Sequence, residues 1–117
     1  MRLNEITYTD AVPVEGYGPG FFRVGGKVYD GAIAILPTQI GPWGGYDDTA
    51  TLLAALGHVD VIFVGTGAEV AHVPPAFRSA LEEAGIGVES MASPAACRTY
   101  NVLLSEGRRV GLALLPV

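Results

Sequence analysis

Two places in the chain carry residues whose types and spacing suit the binding of a small anion. A Gly65-Thr66-Gly67 loop follows the apolar run from Val61 to Val64, and Ser93 precedes Pro94 as at a helix start. A helix N-terminus offers unpaired N–H groups and about half a positive charge, and Arg98 lies in the second turn. The ligand site predicted from this pattern is lined by Gly65, Thr66, Gly67, Ser93, Arg98 and Asn101.

The same residues also have a purely structural interpretation. Glycine is used most often for backbone geometry alone, and this explains the loop as a tight turn after a strand. Helix capping by itself explains Ser93 and Pro94. Arg98 can pair with Glu89 or Glu106, or lie in water, as most surface charges do. The sequence leaves both interpretations open.

Nucleotide-binding motifs are incomplete in this chain. The glycine loop resembles the start of a dinucleotide fingerprint, with Glu89 near the place of a ribose-binding acid. Val70 replaces the third glycine, however, and Pro74-Pro75 delays the next helix, so no helix N-terminus follows the loop directly. The sequence GxxxxGK[ST] of a phosphate-binding loop does not occur.

Cysteine and histidine are too sparse for a recognisable catalytic or metal set. Cys97 lies on an apolar helical arc, so we interpret it as a buried small hydrophobe; a thiolate activated by the helix start and Arg98 is the alternative. His58 and His72 do not stand at metal-ligand spacing with each other or with Cys97. We therefore assign no catalytic residue, no metal and no cofactor, and an enzyme is the less favoured class.

The elements that must position the predicted site lie in the second half of the chain. Apolar runs and helix signals alternate there as strand, helix, strand, helix, strand: Val61 to Val64, Pro74 to about Ala84, Ile86 to Glu89, Pro94 to Glu106, and Val110 to Leu115. Such connections make the three strands parallel with right-handed crossovers. Loops at the carboxyl ends of neighbouring parallel strands share one edge of the sheet, so the glycine loop and Ser93 should meet.

The first half of the chain is rich in glycine and short β-like runs. Phe21 to Val24 and Lys27 to Tyr29 flank Gly25-Gly26, which predicts a hairpin, and a third run from Ala32 ends before Pro37. Weaker runs at Glu5 to Tyr8 and Val12 to Val14 are strand or loop.

A first helix is expected after the glycine-rich loop that carries Trp43 and Tyr46. Asp47 or Asp48 can cap it, and Gly57 is the expected terminator. Because a Trp usually buries most of its area, we expect Trp43 to plug the core beneath this helix; an exposed partner-binding tip is the alternative. Exposure of both aromatics favours a protein partner, whereas burial of both favours a pocket.

Length and charge narrow the class of protein. The chain has 117 residues and half of them are hydrophobic, enough for one domain spanning residues 1–117 with a core that needs no disulfide. Seven Lys and Arg against twelve Asp and Glu give a net charge of −5, which argues against nucleic acid and polybasic membrane binding. The apolar runs are strand-length and no leader is evident, so we expect an untargeted, acidic, cytoplasmic protein without a transmembrane segment.

Motif order in the second half is specific enough to suggest a family. The segments Val64-Gly65-Thr66-Gly67, Gly85-Ile86-Gly87-Val88-Glu89 and Met91 to Leu103, with Tyr29-Asp30-Gly31 and Trp43 earlier, resemble the Mth-938-like family, also called the domain-of-unknown-function 498 family. This resemblance implies an α/β fold in which a β-rich, hammerhead-like N-terminal part joins a βαβαβ parallel unit. It implies no established catalysis, and its mitochondrial members include an assembly factor for respiratory complex I.

The expected function follows from the incomplete catalytic sets and from this resemblance. We expect a non-catalytic binding or assembly protein with a protein partner. The alternative is an enzyme or sensor that binds a small anion with the Gly65-Thr66-Gly67 loop and the helix start at Ser93. A free sheet edge and high apolar content also suggest a homodimer.

Overall fold

The computed structural model describes residues 12–117. These residues form, in chain order, β1 (Val14–Gly18), β2 (Phe21–Val24), β3 (Lys27–Asp30), β4 (Ile33–Ile35), β5 (Ile40–Pro42), α1 (Thr49–Leu53), β6 (Val61–Thr66), α2 (Pro75–Glu83), β7 (Gly87–Met91), α3 (Ser93–Ser105) and β8 (Val110–Leu115). The run from Glu5 to Tyr8 lies outside the described residues. The predicted α/β class is confirmed.

The larger sheet contains the predicted parallel unit. Its strand order is β5-β4-β8-β6-β7, and β6 pairs in parallel with both β7 and β8. Ile62 and Val64 on β6 face one hydrophobic cluster, whereas Phe63 faces the other. The strand is therefore covered on both faces, as its continuous apolar run predicts.

Different elements cover the two faces of this sheet. Leu52 of α1 and Phe77 and Leu81 of α2 pack on one face. On the other face lie α3 and the smaller antiparallel sheet, of order β1-β2-β3, which contribute Tyr100 and Phe22. The large sheet is thus the middle of three layers, and α3 is the helix that joins it to the N-terminal part.

The predicted hairpin is the core of the smaller sheet. β2 and β3 pair in antiparallel register with Val24 opposite Lys27, so Gly25 and Gly26 form a two-residue turn. Both glycines have positive φ, 58° and 79°, which a type I′ turn requires and which residues with a Cβ rarely adopt. The hairpin prediction is confirmed.

The first helix begins as predicted and ends earlier than predicted. The Asp48 carboxylate accepts a hydrogen bond from the Thr51 backbone N–H at 3.1 Å, which makes Asp48 the N-cap. The helix ends at Leu53, not near Gly57, because tighter bonds to the third residue back replace the α-helical pattern at Ala55 and Leu56. The expected terminator at Gly57 is therefore wrong for α1.

Trp43 is a core residue, as expected. It is 4% exposed, and its indole N–H donates to the Asp48 carbonyl at 3.0 Å. Tyr46 is partly buried, with its ring 5.1 Å from that of Phe77 on α2. The aromatic loop thus holds α1 against α2 and does not form an exposed tip.

Candidate functional site

The glycine loop and the start of α3 meet at the carboxyl edge of the large sheet. The Gly67 backbone N–H donates to the Ser93 Oγ at 2.9 Å, and the Ser93 N–H donates to the Gly67 carbonyl at 2.7 Å. The Ser93 hydroxyl in turn donates to the Leu115 carbonyl at 2.6 Å. Three segments are thereby joined through one side chain, which is completely buried.

Gly65 is required for this close approach. A Cβ at this position would lie 2.5 Å from the Ser93 Oγ and 2.8 Å from the Ser93 Cα. The same Cβ would lie 2.6 Å from Leu114 Cδ2. The glycine therefore allows the first turn of α3 to sit directly on β6.

Ser93 is not the N-cap of α3, and that prediction is wrong. Ala92 occupies the cap position with φ −58° and ψ 147°, and no side chain caps the helix there. Ser93 is the first helical residue, and its hydroxyl points to the glycine loop and β8 instead of back to the helix. The side chain is used to join the sheet edge, so it does not satisfy a helical N–H.

Thr66 organises the loop that follows β6. Its hydroxyl donates a hydrogen bond to the Glu69 carbonyl at 2.7 Å and accepts one from the Ala71 N–H at 3.1 Å. It also lies 3.2 Å from the Met91 carbonyl at the end of β7. The Thr66 hydroxyl thus connects the loop that follows β6 with the end of β7.

Asn101 and Arg98 lie away from this edge. The Asn101 amide nitrogen donates to the Val14 carbonyl and its oxygen accepts from the Val14 N–H, both at 2.9 Å, so the side chain completes the edge of β1. Arg98 is exposed on the outer side of α3 and borders a shallow groove with Thr99, Val102 and Leu103. The structure therefore joins Gly65, Thr66, Gly67 and Ser93, and it separates Arg98 and Asn101 from them. Ligand binding at this edge stays a prediction.

Cys97 is buried, as we interpreted it from its helical arc. It is 4% exposed, and burial raises the pKa of its thiol to about 11, against a smaller lowering by Arg98. The side chain is therefore a thiol at neutral pH, packed with Ala96 and Tyr100 between α3 and the sheet.

Residues 12–117 contain neither a metal-binding cluster nor a helix that could span a membrane. Within that range, three or more His, Cys, Asp or Glu side chains do not gather closely enough to hold a metal ion. None of the helices formed by those residues has the length and hydropathy needed to cross a bilayer.

Known proteins similar to this chain place it in a family. The family model described as "Protein of unknown function (DUF498/DUF598)" matches residues 14–115. An uncharacterized protein of Rhodobacter capsulatus is 48% identical over the whole chain and 94% of its own length. The solution structure of a Mth938-like domain from Bordetella pertussis has a TM-score of 0.75 at 33% identity, covering 99% of this chain and 92% of that one.

A bovine relative carries a functional name. NADH dehydrogenase (ubiquinone) 1 alpha subcomplex assembly factor 3 of Bos taurus is 33% identical over 91% of this chain. The match spans 61% of the bovine protein's length. The family model alone covers nearly all of the residues that the structure describes, and the fold agrees with the Bordetella domain. The chain belongs to the DUF498/DUF598 family of proteins of unknown function.

Proposed function

We propose that this protein is a non-catalytic binding protein that assists the assembly of a multisubunit protein complex, with NADH dehydrogenase as the first candidate. The observation that carries the proposal is the match to assembly factor 3 along 91% of the chain at 33% identity. A similarity of this length includes every layer of the fold, so it supports a shared architecture for the relative and this chain.

The chemistry of the sheet edge supports a binding role. The Ser93 and Thr66 hydroxyls, the most reactive groups at this edge, are both engaged in hydrogen bonds that hold the loop and α3 in place. A serine nucleophile would need its hydroxyl directed to a base and a substrate. The Ser93 hydroxyl instead donates to the Leu115 carbonyl inside the protein.

The burial of Trp43 also limits where a partner can bind. Because Trp43 packs under α1 and Tyr46 packs on Phe77, the aromatic loop is part of the core and offers no aromatic anchor. Burial of this loop shifts weight toward the alternative of a ligand pocket, and partner contacts are expected on other surfaces. Large apolar side chains that are half exposed or more include Val28, Leu56, Val70 and Val102.

Affinity capture from the native cell tests the proposed function. The chain carries a C-terminal tag, the captured proteins are identified by mass spectrometry, and an unrelated tagged protein of similar charge is the control. We expect enrichment of NADH dehydrogenase subunits, and deletion of the gene should lower the amount of the assembled enzyme on a native gel. If neither effect occurs, the proposed function is wrong.

Binding of a small anion at the glycine edge is the second candidate function. The observation that favours it is the junction itself, where the loop and the N-terminus of the 13-residue helix α3 are held together. Thermal melting in the presence of phosphates, nucleotides and carboxylates tests it, with Thr66→Val as the comparison, because the Thr66 hydroxyl lies in the loop at this edge. An anion that raises the melting temperature of the wild type more than that of the variant supports this function. The absence of any shift in the wild type rejects it.

A further inference from the structure

The outer side of α3 carries a row of three exposed residues at helical spacing. Arg98 and Val102 lie about one turn apart on α3, and Glu106, four residues further, is the C-cap residue directly after the helix, so the three continue one row. Val102 is 56% exposed at the centre of this row. A groove of about 290 Å³ lies between this ridge and the neighbouring ridge of Thr99 and Leu103.

The opposite side of α3 fixes the direction in which this row points. The Tyr100 hydroxyl donates to the Val12 carbonyl at 2.8 Å, and the Asn101 amide holds both backbone groups of Val14. Cys97 is buried against the sheet. The helix cannot rotate without breaking these contacts, so the row is presented to solvent in one orientation.

The order of charges in the row is complementary to itself. A cation, an apolar residue and an anion follow each other at equal spacing, with Val102 midway between Arg98 and Glu106. We propose that a second copy of this chain packs antiparallel on α3, with the two-fold axis at Val102. Arg98 of each copy then faces Glu106 of the other.

The dimensions of a helix allow this arrangement. Four residues advance about 6 Å along the axis, so each charge lies about 6 Å from the contact at Val102. In the commonest packing of helices in globular proteins, the rows of residues four apart on the two helices run parallel to each other, which keeps the charges at both ends of the row facing their partners. Arg and Glu side chains are long enough to meet across such a contact.

The net charge of the chain opposes nonspecific association of two copies, so a dimer needs a specific pairing of charges. Each chain has a net charge of −5, so two copies repel each other unless a specific arrangement compensates. The antiparallel pairing supplies two ion pairs and places the apolar Val102 side chains against each other. A second groove, of about 230 Å³ and lined by Pro13, Asn101, Leu104 and Ser105, adds apolar surface on the other flank of α3. A contact built on one helix is small, so we expect a reversible dimer.

Charge reversal tests the pairing with the purified chain alone. Arg98→Glu places glutamates opposite each other, and Glu106→Arg places arginines opposite each other. By sedimentation from low to high micromolar concentration, each single variant should dimerise at least about tenfold more weakly than the wild type, given the usual size of surface ion-pair effects. An equimolar mixture of the two variants should form a heterodimer at least as tight as the wild type, because all facing charges are then opposite.

Two valine variants test whether the dimer forms through α3 or is weakened by a new surface charge anywhere on the protein. Val102→Asp should abolish the dimer, since two carboxylates then meet at the axis, whereas Val28→Asp, at a site 50% exposed on β3, should leave it intact. Circular dichroism confirms that each variant is folded. A wild type that stays monomeric at high micromolar concentration overturns the proposal, as does a mixture that associates no better than its components. The outcome is independent of the proposed function because no partner protein is present.

Discussion

Replacing Gly65 by alanine tests the close approach on which the sheet edge depends. Gly65 lies on the inner strand β6, between Met91 of β7 and Leu114 of β8. The added Cβ would lie 2.8 Å from the Ser93 Cα, which is a backbone atom and cannot rotate away. Relief of the clash requires α3 to move away from the sheet, and this movement strains the hydrogen bonds between Ser93 and Gly67.

The expected loss of stability follows from these contacts. Overpacking in a close-packed interior costs about 1–3 kcal/mol. Weakening the paired hydrogen bonds between Ser93 and Gly67 adds about 1 kcal/mol. We therefore expect Gly65→Ala to lower the free energy of unfolding by about 2–4 kcal/mol, which corresponds to roughly 4 °C of melting temperature per kcal/mol for a domain of this size.

Urea unfolding followed by circular dichroism measures this change. Gly41→Ala is the matched control, because Gly41 lies in β5 and no atom is within 4 Å of an added Cβ. The control should stay within about 0.5 kcal/mol of the wild type. If Gly65→Ala unfolds at the same urea concentration as Gly41→Ala, α3 does not pack on β6 as closely as the structure shows, and the sheet edge does not depend on this glycine.

Three further changes have outcomes that the structure fixes. Asn101→Ala leaves both Val14 backbone groups unpaired and should lower the free energy of unfolding, measured in urea, by about 1–3 kcal/mol. Ser105→Ala on the same helix is the control and should leave the free energy of unfolding nearly unchanged. Equal losses in the two variants would contradict the role of Asn101. Hydrogen bonds from the Thr51 hydroxyl and then from the Gly44 and Thr51 N–H groups hold the pKa of Asp48 below its ordinary value of 3.8. The extra stability of the wild type over Asp48→Asn should therefore be present above about pH 4 and vanish as pH falls through the lowered pKa; a gap that persists in acid argues against it. Because burial raises the pKa of Cys97 from 9.0 to about 11, iodoacetamide at pH 8 should alkylate the native protein at least about a hundredfold more slowly than the urea-unfolded chain, and similar rates would show an accessible thiolate.

The parts of the fold that the sequence could predict are those that depend on patterns of a few neighbouring residues. The continuous apolar run that begins at Val61 predicts a strand covered on both faces, and Gly25-Gly26 predicts the hairpin, because each signal lies within a few residues. Parallel topology then predicts that the glycine loop meets the start of α3. That step needs only the rule that connected parallel strands share one carboxyl edge.

The roles of individual polar side chains depended on contacts that no local pattern contains. Asn101 bonds to Val14, 87 residues earlier, and the sequence around either residue gives no sign of the other. Ser93 has the local features of an N-cap, yet its hydroxyl forms hydrogen bonds to Gly67 and Leu115 on two other segments. A helix boundary that differs by one residue is enough to change such a side chain from cap to connector.

Both faces of α3 bear on function, in different ways. On its inner face, Ser93, Cys97, Tyr100 and Asn101 tie the large sheet to the N-terminal sheet, and these residues determine the position of the helix. The groups that sequence analysis identified as a ligand site are thus largely the ones that hold the helix in place. Arg98 is the exception, since it lies on the outer face in a row with Val102 and Glu106. A helix anchored so firmly on one side presents its outer row on a backbone that is already ordered, and this lowers the entropic cost of binding a partner through a small surface.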